Sequence, residues 1–399
     1  MKKSPRRSCM GLFLVATVAC LIGPATAADN GGGEFLRHED FQGRPALVLS
    51  NDIIEVTVLP FGGAIASIVL KDDGGKMNPM WDALRAGREA GRAPRAGRAV
   101  GHFVCVDGFG PVSAEEREAG LPGHGEAHTL PWVLRSAKKE GRVARLVQSV
   151  QLSRVHEVYT RTMEIADGEN VVHVRGTLEN LLDFDRPVRW TEHATIGSPF
   201  LEPGVTVVDM SRNRAMTRPD RGDRPGVIHR LPAGEEFEWP MAPSAEGEKI
   251  DLRAAPVSPN SLDHTGHLMD PDQRLAYVTA LHPKKRLLLG YIFKQAESPW
   301  LQIWESYPPT GVMARGLEFG TQAFDRPARQ VISQNRLFGA LLYRWLPAKG
   351  RIETSFLMFW TPTPEGFLGV DDIQIEAGRI RIRDETSGKV ITLNTSKSL

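Results

Sequence analysis

The chain reads as an all-β protein, a large antiparallel sandwich or barrel, on three observations. Apolar and polar residues alternate with a period of two in segment after segment from residue 46 onward, which is the signature of half-buried strands. Glycine, proline and Asp/Asn turn formers separate those segments. No long stretch carries the three-to-four-residue apolar stripe of a helix.

The segments follow in order. "NDIIEVTVLP" sets Ile54, Val56 and Val58 on one face and Glu55 and Thr57 on the other. "ARLVQSVQL" repeats the pattern, and "YTRTMEIADGENVVHVRGTLEN" reads as a hairpin turning at Asp167-Gly168. "GVIHRL", "RLAYVTAL", "RLLLGYIF", "WLQIWES" and "GRIETSFLMFW" are further strands, and "GRIRIRDETSGKVITL" is a closing hairpin. No repeat of 20 to 50 residues is visible, which argues against a propeller or solenoid.

The first residues stand apart. "MKKSPRRSC" is cationic, "MGLFLVATVACLIG" is apolar but short for a bilayer span, and "ATA" precedes Ala28. That pattern predicts a secretory signal peptide over residues 1–27 and a mature single domain over 28–399 in the periplasm or outside the cell, with no integral membrane span after cleavage. A lipid anchor at Cys20 is the alternative, and Arg6-Arg7 is a weak twin-arginine signal. Cleavage leaves Cys105 as the only cysteine, so no internal disulfide can form. Inside "HFVCV" it reads as a buried small hydrophobe.

Charge is balanced, with 49 Lys+Arg against 48 Asp+Glu. No net field steers the chain toward nucleic acid or a lipid surface, so a neutral small-molecule partner fits at least as well. The most biased piece, "RAGREAGRAPRAGRAVG", spaces Arg85, Arg88, Arg92, Arg95 and Arg98 at roughly helical intervals, but Pro94 and three glycines break it and it reads as a surface excursion.

Chemistry-bearing residues gather in three turn-rich segments: His124, Glu126 and His128 in "PGHGEAHTLPW"; Glu192 and His193 in "RWTEHATIGSPF"; and Glu318 in "GLEFGTQAFD". The His124/His128 spacing lacks the glutamate directly after the first histidine, and the helical backbone, of a zinc helix. "LDHTGHLMD", with Asp263, His264, His267 and Asp270, has the same loop-like character and reads first as a solvated loop. No metal site is expected at either. Gly-x-Ser-x-Gly and P-loop patterns are missing.

The order of these segments resembles the aldose 1-epimerase, or galactose mutarotase-like, superfamily. "NDIIEVTVLPFGGAIASIVLKDDGGKMNPMW", "LPGHGEAHTLPW", "WTEHATIGSPF" and "GLEFGTQAFD" run in the family's order over about residues 45 to 365. The resemblance implies a large antiparallel β-sandwich with a sugar-binding cleft, a monosaccharide or oligosaccharide partner, and no cofactor or metal. It also implies interconversion of sugar anomers by acid–base ring opening, with Glu318 as the base and His193 as the acid that protonates the ring oxygen. His124 would hydrogen-bond the sugar. Trp132, Trp190, Trp300 and Trp304 read as core or rim residues, one of them a candidate platform for a pyranose, with Trp132 taken as substrate-binding. Asp263 and Arg98 are candidates for the family's sugar-binding Asp and Arg. His128 and Glu126 read as supporting or surface residues. Where galactose mutarotases carry His-Gly-Gly, Asn before the second histidine and Glu-x-Gln, this chain has His124-Gly125-Glu126, Glu192-His193 and Glu318-Phe319-Gly320. A carbohydrate-binding protein without turnover, and a polysaccharide lyase or hydrolase, are the rival readings on the same fold.

Overall fold

Two large antiparallel sheets carry the molecule, in a computed structural model that describes residues 35–83, 85, 88, 91, 100–220 and 226–399. The expected leader over residues 1–27, Cys20, and Arg92, Arg95 and Arg98 lie outside the described residues. No described helix is long and apolar enough to cross a membrane.

One sheet has eight strands, ordered Val207–Met210, Leu275–His282, Leu287–Lys294, Arg351–Pro362, Val171–Asn180, Glu157–Ala166, Val143–Leu152 and Val133–Glu140. The other runs Glu236–Phe237, Asn213–Thr217, Ser261–Met269, Trp300–Tyr307, Glu318–Gly320, Trp190–His193 and Phe103–Val106, with Thr195–Gly197 and Ala314–Gly316 beside it. A four-stranded sheet from Leu36–Asp40 to Ile65–Leu70 contributes Leu49, Ile54 and Val56 to the core that both large sheets share.

The strand Arg351–Pro362 shows why part of the pattern reads as continuous rather than alternating. Phe356, Met358 and Trp360 enter the shared core, while Leu357 and Phe359 pack outward on Ile380, Ile382 and Leu393 of the C-terminal three-stranded sheet. A strand covered on both faces needs apolar residues on both, and truncating Phe356 or Trp360 to alanine would cost about 3–5 kcal/mol. The 167–168 hairpin forms as expected, with Gly168 at φ 78°, and so does the closing hairpin, Arg379–Asp384 against Lys389–Asn394.

Two segments differ from their expected form. "GVIHRL" is an irregular strap, not a strand, because Arg230 and Leu231 give their backbone N–H groups to the Asp263 carboxylate instead of to a neighbouring strand. "LDHTGHLMD" is no solvated loop: Ser261–Met269 is an interior strand paired with both Asn213–Thr217 and Trp300–Tyr307. Its polar side chains are accommodated by partners, His264 by Gln302 (2.7 Å) and His267 by Asn213 and Thr265.

Candidate functional site

Strand alternation decides which residues of "WTEHA" reach the site. Along Trp190–His193, Trp190 and Glu192 face inward, whereas His193 lies opposite Phe103 and beside the strand Glu318–Gly320. His193 Nε2 comes within 3.2 Å of Glu318 Oε1, and its Nδ1 lies 2.9 Å from the Thr195 hydroxyl oxygen. Phe103 stacks on the imidazole at 4.2 Å with an interplanar angle of 22°. Gly316 leaves room for the carboxylate, since a Cβ there would sit 2.4 Å from Glu318 Oε1.

Burial sets the electrostatics of this pair. It holds the Glu318 carboxyl well above the usual carboxylate range. It also pushes His193 well below the usual imidazole value, with His124 adding to the effect. Charging either group in a dry site is costly, so burial favours the neutral pair, with the shared proton toward Glu318.

His124 arrives on the loop between Phe103–Val106 and Val133–Glu140. It adopts φ 64°, unusual for a residue with a side chain, and its N–H donates to Gly110 O at 3.0 Å. Gly110 N–H donates back to His124 Nδ1 at 3.3 Å. Gly125, at φ 77°, follows where a Cβ would strike Val106 O at 2.4 Å. With Nδ1 accepting and the ring lowered to about 4 by burial and by His128, His124 is a neutral imidazole with Nε2–H free to donate. Its ring centroid lies 5.2 Å from that of His193.

His124, His193 and Glu318 thus line one cleft of about 760 Å³. Trp304 and Trp81 stand beside them, edge to face at 6.0 Å, and Trp304 lies 6.3 Å from the His193 ring. No group of three His, Cys, Asp or Glu side chains converges as a metal-ligand set among the described residues.

Two expected substrate residues are placed differently. Trp132 is buried away from the cleft against Tyr159, with Arg161 over its ring and its indole N–H on Ala127 O, because the loop turns it into the core. Asp263 borders the cleft, but its side chain is 2% exposed. It sits opposite Glu305 on the inward face and accepts from Arg230 N, Arg230 Nε and Leu231 N. Glu126 is buried and accepts from Arg154 N at 3.0 Å, and His128 packs on Phe103 at 5.4 Å. Cys105 is buried, as its strand context implied.

Sequence reasoning missed Phe103, Trp81, His229 and Arg218. Phe103 and Trp81 were visible as aromatics next to named motifs. Arg218 and His229 carried no local signal, since only the sheet order brings them to the cleft. Arg218 is bonded to Asp325 and to His264 Nδ1 (3.0 Å), and lies 3.3 Å from Asp220.

No protein-family model and no curated protein matches the sequence. Solved structures do match in shape. A galactose mutarotase-like protein from Clostridium acetobutylicum superposes with a TM-score of 0.56 at 13% identity, over 82% of this chain and 98% of that one. A protein provisionally named an aldose 1-epimerase, from Klebsiella pneumoniae subsp. pneumoniae, gives 0.54 at 12% identity over 82% of each. A TPR-domain containing protein from Parabacteroides distasonis gives 0.53 at 13% identity over 87% of this chain, which spans only 51% of that one. At such identities the likeness is one of architecture, and this chain has the galactose mutarotase-like β-sandwich fold.

Proposed function

We propose that the chain is an aldose 1-epimerase-like isomerase that interconverts the anomers of a reducing sugar. The observation that carries this reading is the 3.2 Å contact of His193 Nε2 and Glu318 Oε1 inside a cleft also lined by His124. Ring opening needs one group to remove the proton of the anomeric hydroxyl O1 while another protonates the ring oxygen O5. The C1–O5 bond breaks as C1=O1 forms; rotation about C1–C2 exposes the other carbonyl face, and both transfers then reverse. O1 and O5 share one carbon, so donor and acceptor must be close neighbours, as this pair is.

The pair holds one proton before and after each cycle. At rest burial keeps it on Glu318; moved across the contact, it makes Glu318 the base and His193 the acid that the family resemblance implies. The Thr195 oxygen would accept the Nδ1–H of the imidazolium. His124 Nε2–H would steady the charge developing on a sugar oxygen, and the Trp81/Trp304 corner would take the apolar face of the ring.

Two-dimensional exchange NMR on freshly dissolved sugars tests turnover. We expect anomeric exchange to accelerate with wild type and to return to the buffer rate with Glu318→Gln. Binding without acceleration across a broad panel would leave a carbohydrate-binding protein instead, and release of unsaturated or new reducing ends from polysaccharide would favour the lyase or hydrolase reading. Export after cleavage near Ala27 belongs to the same proposal and is checked by N-terminal sequencing of the mature protein.

A further inference from the structure

The register of the cleft's floor fixes how far the cleft extends from the His193–Glu318 pair. Glu318 lies opposite Gln302, and four residues further along that strand Ser306 lies opposite Leu262. Leu262 N–H in turn donates to Ile228 O, which places the strap carrying His229 at the next position across. At roughly 4.8 Å between strands and roughly 3.4 Å per residue, three spacings across and four residues along separate Glu318 from the strap by roughly 14 Å in each direction. That is farther than one pyranose reaches. Trp304 and His264, paired with each other, form the floor between the two ends.

The far end is built for a polar, uncharged ligand. Arg218 is bonded to Asp325, and Arg230 to Asp263 and Glu305, so neither cation offers an unpaired charge to an acid. His229 lines this end, and its Nε2 is buried with no hydrogen-bond partner among the described residues. A buried imidazole nitrogen without a partner is costly unless a ligand or water meets it. Its other nitrogen lies 3.9 Å from Asp263 Oδ1. At this end His229 is the more exposed of the two, its side chain 18% exposed against 2% for Asp263. A volume of about 760 Å³ fits a ligand larger than a free hexose.

We infer that the cleft takes the reducing end of a neutral oligosaccharide of at least two rings, the terminal ring at His193 and Glu318 and a following ring hydrogen-bonded by His229. The assignment of the terminal ring rests on the function proposed above; the two-ring length of the cleft does not.

Titration calorimetry with the turnover-free Glu318→Gln protein tests it, pairing D-glucose, D-galactose and D-mannose with cellobiose, lactose and β-1,4-mannobiose. At least one disaccharide should bind tenfold or more tighter than every monosaccharide. His229→Ala in the same background should cut that preference to threefold or less, and His229→Gln, which keeps a donor and an acceptor, should restore most of it. Equal affinities throughout, no binding by any sugar of the panel, or an undiminished preference in His229→Ala would each overturn the inference. Anomeric exchange by wild type separates the two ideas. Exchange together with equal mono- and disaccharide affinity sinks the long cleft alone, whereas a disaccharide preference without exchange sinks the isomerase alone.

Discussion

Two His–Glu pairs lie back to back on one strand. His102 Nε2 meets Glu192 Oε2 at 3.0 Å, and His193 Nε2 meets Glu318 Oε1 at 3.2 Å. The inward pair is sealed: Glu192 takes a second bond from Trp190 Nε1 at 3.1 Å, and His102 is walled by Tyr291, Phe319 and Phe356. The outward pair is nearly as buried, with side chains 7% and 2% exposed, yet it lines the cleft, and among the described residues the polar side chain that meets the Glu318 carboxylate is His193. Similar chemistry at similar distance therefore serves opposite ends. The inward pair leaves His102 Nδ1 without a partner among the described residues but lines no part of the cleft, so it fixes structure, whereas the pair beside the cleft can exchange protons with a ligand.

The largest way to sharpen that comparison is to remove the outward pair. Glu318→Gln or His193→Asn should slow anomeric exchange by about 10²–10⁴-fold. The stability effect of Glu318→Gln should have the opposite sign. A carboxyl whose folded pKa is raised stabilises the fold below its unfolded value near 4.5, and that contribution is lost as pH rises toward the folded value. Its replacement should thus raise the thermal midpoint most at pH 8 to 9. Wild-type exchange should be flat near neutrality and fall at both extremes, on the acid side as His193 gains a second proton and on the alkaline side as Glu318 loses the shared one.

Breaking the inward pair comes next. Glu192→Ala should cost about 3–5 kcal/mol of stability in urea denaturation, because it strands His102 and Trp190 Nε1 in the core. Should that variant keep full stability and lose turnover, the division of labour between the two pairs is wrong.

A third buried acid tests burial alone. Glu157 is pushed up to about 9, first by burial and then by Asp107, even though Arg186 Nη1 stands 3.3 Å away. Arg186 is shared with Asp107, which weakens its hold on Glu157. Between pH 4.5 and about 9 the unfolded chain ionises this group while the fold does not, so stability falls with rising pH, by up to about 1.4 kcal/mol per unit. Glu157→Gln should flatten that slope in melting curves taken from pH 5 to 9.

The smallest effect belongs to Thr195. Thr195→Val should cost about 1 kcal/mol, roughly fivefold in exchange rate, by removing the oxygen beside His193 Nδ1, and Thr195→Ser should recover it.

Much of the fold was legible because a period of two is a property of the chain itself. Alternation in Ile54–Val58 and the two hairpins needed no partner to be read, and motif order, through the family resemblance, sufficed to single out His124, His193 and Glu318. The misreadings share one cause. In Ser261–Met269 both faces carry polar residues, so the segment looks like a loop until Gln302 and Asn213 supply partners for its histidines. "GVIHRL" alternates like a strand, but its backbone is taken by Asp263.

The sequence by itself determined an alternating, antiparallel β chain and the chemical kinds of the residues at its turns. Only the tertiary structure decided which face of each strand meets the cleft. That choice turned Asp263 inward and Trp132 into the core, and it brought Arg218 and His229, which lie between His193 and Glu318 in the chain, to the same cleft as that pair. The physical reason is that alternation fixes only that neighbours point apart; which side is dry depends on what other strands pack there.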